Sequence, residues 1–162
     1  MTDTRTAEMA PTLEPPAAAT RDPWRRYRGW FWAATVYNAV WGTAVGLRPQ
    51  LLLDWMGMTA AQQAAGGTVP LLLSACIGMF VGVYAIGYGC VALDPARFWP
   101  FALLGLCGKV LGPLGALLHV ALGHLPPTAL LVNVLNDFIW WPAFFALLFT
   151  VRRERRAGRM RL

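Results

Sequence analysis

Residues Val69–Leu93 read VPLLLSACIGMFVGVYAIGYGCVAL, 25 residues without a charged side chain. A helix of about 20 apolar residues rising 1.5 Å each crosses the ~30 Å hydrocarbon layer of a bilayer. The competing reading for one such segment is a buried core helix of a soluble protein. Further apolar segments stand at 30–47, 98–122 and 128–151. Four of them in a chain of 162 residues leave no polar faces from which to build a water-soluble exterior. The expected fold is therefore all-α, an integral membrane bundle of four transmembrane helices within 24–151.

Composition agrees. Apolar residues make up 57 % and charged residues 14 %, against ~45–50 % and ~25 % in soluble domains. This excludes a disordered chain and one that wraps nucleic acid, and it makes the lipid bilayer the expected partner. The formal charge of +6 belongs to the ends, because 13 of the 14 basic residues are arginines gathered mostly there. Twelve arginines fall on the side of the two termini and the 94–100 connector, and Arg48 alone falls on the other. The positive-inside rule then puts both termini in the cytoplasm, as an even number of spans requires. Residues 1–23, rich in Thr, Ala and Pro, read as a flexible cytoplasmic tail and not as a secretory signal. Residues 152–162 read as a basic cytoplasmic tail that binds anionic lipid, more strongly at low salt.

Trp24, Tyr27, Trp30, Trp32 and Trp99 suit an aromatic belt at the inner interface. Asp94-Pro95, Trp99-Pro100 and Pro126-Pro127 punctuate the spans. The connector 48–68 predicts a short interfacial helix between helices 1 and 2. In it Leu51, Leu52, Leu53, Trp55, Met56 and Met58 enter lipid while Asp54, Gln62 and Gln63 face water. Small residues recur at Gly78, Gly82, Ala85 and Gly89 on helix 2, and at Gly105, Gly112 and Ala116 on helix 3. Such stripes let backbones approach closely, giving a compact bundle and admitting a homo-oligomer.

Two charged residues interrupt the spans, Lys109 in helix 3 and Asp137 in helix 4. An unpartnered charge at mid-bilayer costs ~2.5–3.5 kcal/mol on insertion scales. Counted from Pro100 and Thr128 across a ~30 Å layer, the two heights differ by only about 3 Å. Lys109 and Asp137 are thus expected to pair near the midplane. Asn133, Asp137 and Trp141 share a helix face, with Asn136 and Trp140 flanking it. Gly105, Gly112 and Ala116 leave space beside the Lys109 stem. Pro113 lacks the N–H that would bond the Lys109 carbonyl, and Pro142 likewise frees the Phe138 carbonyl. Asn38 and Trp41 from helix 1, and Tyr84 or Tyr88 from helix 2, are candidates to close the site. The expected binding residues are therefore Lys109, Asp137, Asn133, Asn136, Asn38, Trp41, Trp140 and Trp141. Either they form a polar pocket, or the pair serves to fix helix register.

His119 falls near the outer interface and His124 in the following loop. Without a third ligand at suitable spacing they predict no metal site. Cys76, Cys90 and Cys107 contain no C-x-x-C pair and an odd count, so they read as small apolar residues. No cofactor motif is present.

The strings YNAVWG (37–42), LRPQLLLDWMGM (47–58), GMFVGVYAIGY (78–88), DPARFWP (94–100), LLGLCGKVLGPLG (103–115) and NDFIWWPAF (136–144) together resemble a group of small bacterial four-helix membrane proteins similar to the DoxX-like families. The resemblance implies a four-span protein of the bacterial inner membrane. Some relatives carry an alkyl hydroperoxide reductase label, a chemistry that needs a thiol pair or an activated thiol. The leading functional expectation is a binding or accessory protein for a small polar or amphiphilic ligand. A membrane-embedded enzyme acting on a lipid or quinone, and a small proton-linked transporter, are the alternatives.

Overall fold

The computed structural model describes residues 22–160, and all regular structure among them is helical. Residues 1–21 of the expected tail (1–23), and residues 161–162, lie outside the described residues. Seven α-helices follow in order: α1 (Arg25–Leu47), α2 (Gln50–Trp55), α3 (Ala60–Ala65), α4 (Val69–Leu93), α5 (Pro95–Ala121), α6 (Leu130–Asn136) and α7 (Trp141–Arg156). Short 3-10 turns at Pro127–Ala129 and Phe138–Trp140 precede α6 and α7.

Among the described residues three segments are long and apolar enough to cross a membrane: Val69–Leu93, Pro95–Ala121 and Pro127–Arg156. Only 17 %, 28 % and 39 % of their most apolar windows are buried within the protein, so their apolar side chains point mainly outward. Phe80, Ile86, Leu111, Leu118 and Phe149 are all exposed, which a water-soluble monomer of this size does not tolerate as a continuous belt.

The long helices run antiparallel, so the start of α1, the α4–α5 turn and the end of α7 meet at one end, the termini end. Asp94 makes that turn sharp: its carboxylate accepts the backbone N–H groups of Ala96 and Arg97, both at 3.1 Å, and Pro95 supplies a preset φ at the first helical position. α5 therefore starts at Pro95, and Pro100 lies inside it and begins nothing. Close to this end Tyr27, Phe31, Tyr88, Leu106, Phe144 and Leu147 form the core. Tyr27 is thus a core residue and no belt residue: its hydroxyl donates to the Ala146 carbonyl (3.0 Å) and shares a 2.6 Å hydrogen bond with Thr150, tying α1 to α7.

α1 and α4 form the most extensive pairing in the molecule. A Cβ on Gly42 would lie 2.6 Å from the Gly82 nitrogen, and one on Gly78 2.8 Å from the Gly42 oxygen. The α4 stripe is consequently used within the chain, against α1.

Four other expectations change. The connector forms two short helices, with Thr59 and Gln62 making a capping box on α3. Leu52 and Leu53 enter the protein rather than lipid, because the connector folds back over the far end of the bundle. The last apolar segment is two helices broken at Asp137, where φ is −119° and ψ −58°. Finally, α7 continues to Arg156, so the arginines from Arg152 to Arg156 lie on a helix.

Candidate functional site

The break at Asp137 follows from the backbone chemistry of its neighbours. Pro142 has no N–H to donate to the Phe138 carbonyl, and that carbonyl accepts the Trp141 N–H in a tighter 3-10 turn. The Trp140 N–H turns to the Asp137 carbonyl at 3.1 Å and leaves the Asn136 carbonyl, at the C-terminus of α6, without its intrahelical donor. Lys109 fills that role: its Nζ donates to the Asn136 oxygen at 2.7 Å. The ammonium thereby sits at the negative end of the α6 dipole.

Asp137 is the second partner, with its Oδ1 3.6 Å from Lys109 Nζ, and both side chains are buried. Asn133 Nδ2 donates to Asp137 Oδ2 at 3.1 Å and Asn136 Nδ2 to Oδ1 at 3.0 Å. The carboxylate, an acceptor only when ionised, fixes the orientation of both amides. Among the described residues Asn136 Oδ1 has no hydrogen-bond partner.

Pro113 leaves the Lys109 carbonyl open, and the Trp141 indole N–H donates to it at 3.2 Å. Pro113 thus leaves α5 a carbonyl through which it bonds to α7, an acceptor that an uninterrupted helix would not offer. Trp141 is accordingly a clamp between helices and not a wall. Trp140 also differs from its expected place: it packs on Tyr37 with ring centroids 5.3 Å apart, and its indole N–H has no partner among the described residues. Asn38 is buried, but its amide donates to the Ala34 carbonyl of its own helix at 2.8 Å. It orients neither member of the pair.

Beside the pair lies a cavity of about 440 Å³. Lys109, Asp137, Asn133, Asn136, Asn38, Tyr84 and Tyr88 line it along with Trp41, and His119 also reaches it. Gly108, Gly112, Gly115 and Ala116 supply wall without bulk. A Cβ on Gly115 would meet nothing within 4 Å, and one on Gly112 only Asp137 Oδ2 at 3.9 Å. Gly112 and Gly115 therefore leave space, whereas Gly105 of the same helix, expected to do so too, is filled by the Tyr88 ring, and Gly78 of α4 lies against the backbone of α1. Leu52 and Met56 of the connector complete the lining, a contribution that no local signal in the sequence announces. His119 and His124 hydrogen-bond through their Nδ1 atoms at 3.1 Å. Among the described residues no group of three or more His, Cys, Asp or Glu is placed to hold a metal ion.

Together these features define an all-helical protein with three membrane-length apolar segments and a buried Lys–Asp pair bordering a mostly apolar cavity. No protein-family model, curated protein or solved structure matches the chain.

Proposed function

We propose that this is a four-span protein of the bacterial inner membrane, DoxX-like in kind, with both termini cytoplasmic, and that it binds a small amphiphile in the cavity beside Lys109 and Asp137. The cavity carries the reading. Its walls are mainly apolar, and its polar groups cluster where two charges are already neutralised by each other. A ligand with a neutral, hydrogen-bonding head and an apolar body matches that division.

The fourth span in this reading is α1. Its 29–47 portion has no charge, it packs along α4 through bare backbone, and Trp30, Trp32, Val36 and Val40 are exposed on it. A helix so closely joined to an apolar span shares its surroundings. The arginines at the termini end set the orientation.

Gly115→Leu tests the binding reading, because it fills the cavity without touching the ion pair. Leucine also favours a helix over glycine by roughly 0.5–1 kcal/mol. The variant is expected to fold at least as well as the parent and to lose the amphiphile that mass spectrometry finds co-purified with the parent. A variant that retains the same molecule at the same occupancy overturns the reading.

The broken helix at Asp137 favours a second reading, a proton-linked carrier, since interrupted spans with an ionisable residue at the break recur in transporters. In proteoliposomes, Asp137→Asn is then expected to abolish proton flux that the parent shows. Absence of flux in the parent leaves the binding reading alone.

A further inference from the structure

At the termini end, α5 and α7 enclose a groove of about 340 Å³ that the cavity reading does not use. Apolar side chains of Leu103, Leu148 and Val151 line one part of it, and Trp99, Arg152, Arg155 and Arg156 the rest. The three arginines follow one another at spacings of three and one on α7, so they and Leu148 lie on one side of the helix. Arg155 lies over the Trp99 ring with its guanidinium carbon 5.0 Å from the centroid, an arrangement that holds a cation at a fixed place. The acidic residue nearest in sequence is already engaged: Glu154 pairs with Arg153 at 3.4 Å and accepts from Arg159 Nη2 at 3.1 Å. Among the described residues Arg152, Arg155 and Arg156 have no carboxylate partner.

We infer that this groove is a site for one anionic phospholipid, with its phosphate among Arg152, Arg155 and Arg156 and an acyl chain along Leu103 and Leu148. Guanidinium groups match phosphate oxygens in charge and fork geometry. A groove lined by both apolar side chains and arginines suits a molecule with a charged head and a hydrocarbon tail, and basic pockets between spans on the cytoplasmic side are suited to anionic head groups. Generic attraction by basic residues needs no groove, no aromatic platform and no adjoining apolar side chains. The inference rests on the membrane reading of α5 and α7 and is independent of what the cavity binds.

The test uses the full chain purified in detergent and loaded with phosphatidylglycerol or phosphatidylcholine, with retained lipid counted by native mass spectrometry. Phosphatidylglycerol is expected to be held in preference. R152Q/R155Q/R156Q is expected to weaken its retention about tenfold or more, and R25Q/R28Q/R97Q, which removes the same charge elsewhere at this end, much less. Trp99→Leu, with no change of charge, is expected to weaken it about threefold. Thermal unfolding in phosphatidylcholine verifies that each variant is folded. Equal loss in the two triple variants, or no effect of Trp99→Leu, overturns the site in favour of diffuse attraction. Displacement of the lipid by millimolar inorganic phosphate overturns it in favour of a free anion. A chain that leaves membranes in alkaline carbonate contradicts the membrane reading itself, whereas a membrane-retained chain without lipid preference contradicts only the site.

Discussion

Lys109→Met is expected to destabilise the protein by about 3–5 kcal/mol, the range for removing one member of a buried pair. Methionine matches the lysine stem in length, so packing changes little and the loss is electrostatic. Asp137 keeps its two amide donors from Asn133 and Asn136 but loses the positive charge 3.6 Å away. The Asn136 carbonyl loses its 2.7 Å donor at the same time, which leaves the end of α6 uncapped. The measurement is unfolding of the purified protein in detergent, by circular dichroism or steric trapping. Lys109→Met/Asp137→Leu separates two roles for the pair. Removing both charges restores most of the stability, because no uncompensated charge remains. If the double variant then retains the bound amphiphile, the pair fixes helix register and takes no part in binding. If it is stable but has lost the amphiphile, the pair is the polar end of the site. Equal stability of parent and Lys109→Met would falsify the buried-pair geometry.

Gly78→Leu is expected to have a comparable or larger effect, by packing alone. The atoms that a side chain at Gly78 would meet are backbone atoms of Gly42 and Gly46, and backbone does not rotate aside as a side chain does. α1 and α4 would have to separate along the most extensive pairing in the molecule. Overpacking a tight interior costs roughly 1–3 kcal/mol where side chains can yield, and here they cannot, so the variant is expected to exceed that range or fail to accumulate. Gly82→Ala provides the contrast. Gly82 lies on the same stripe, yet a Cβ there meets nothing within 4 Å, so alanine is expected to be neutral or slightly stabilising. Similar thermal stability of Gly78→Leu and Gly82→Ala in detergent contradicts this account of the interface.

Much of this organisation was legible in the residues. The uncharged run at Val69–Leu93 is a helix over that same range, because 25 residues with no polar alternative have only backbone-satisfied structure available in an apolar setting. Heights counted from Pro100 and Thr128 brought Lys109 and Asp137 level, and the pair forms, although α5 begins at Pro95 and the second helix breaks at Asp137. The missing N–H of Pro113 pointed to an open carbonyl, though not to Trp141 as its donor. The break at Asp137 was harder to see. Pro142 predicts a kink, whereas a full interruption also needs a group to stabilise the freed Asn136 carbonyl, and that group comes from another helix. Continuing one helical face from Asn133 to Trp141 across this break accounts for the misplaced Trp140 and Trp141.

The order of residues along the chain dictated everything that depends on covalent spacing and solvent preference. This includes helical character, long apolar segments, the polar interruptions within them and the helix cap at Asp94. Tertiary structure alone decided what each interruption faces. Gly78 and Gly115 are indistinguishable as glycines in apolar helices, yet one touches a neighbouring backbone and the other borders a cavity. Leu52, apolar and sited in a connector, closes that cavity where lipid burial was equally consistent with its chemistry. The physical reason is common to these cases. Transfer from water sets which side chains leave it, a property of each residue, while close packing depends on the distance and direction of surfaces brought together from remote parts of the chain.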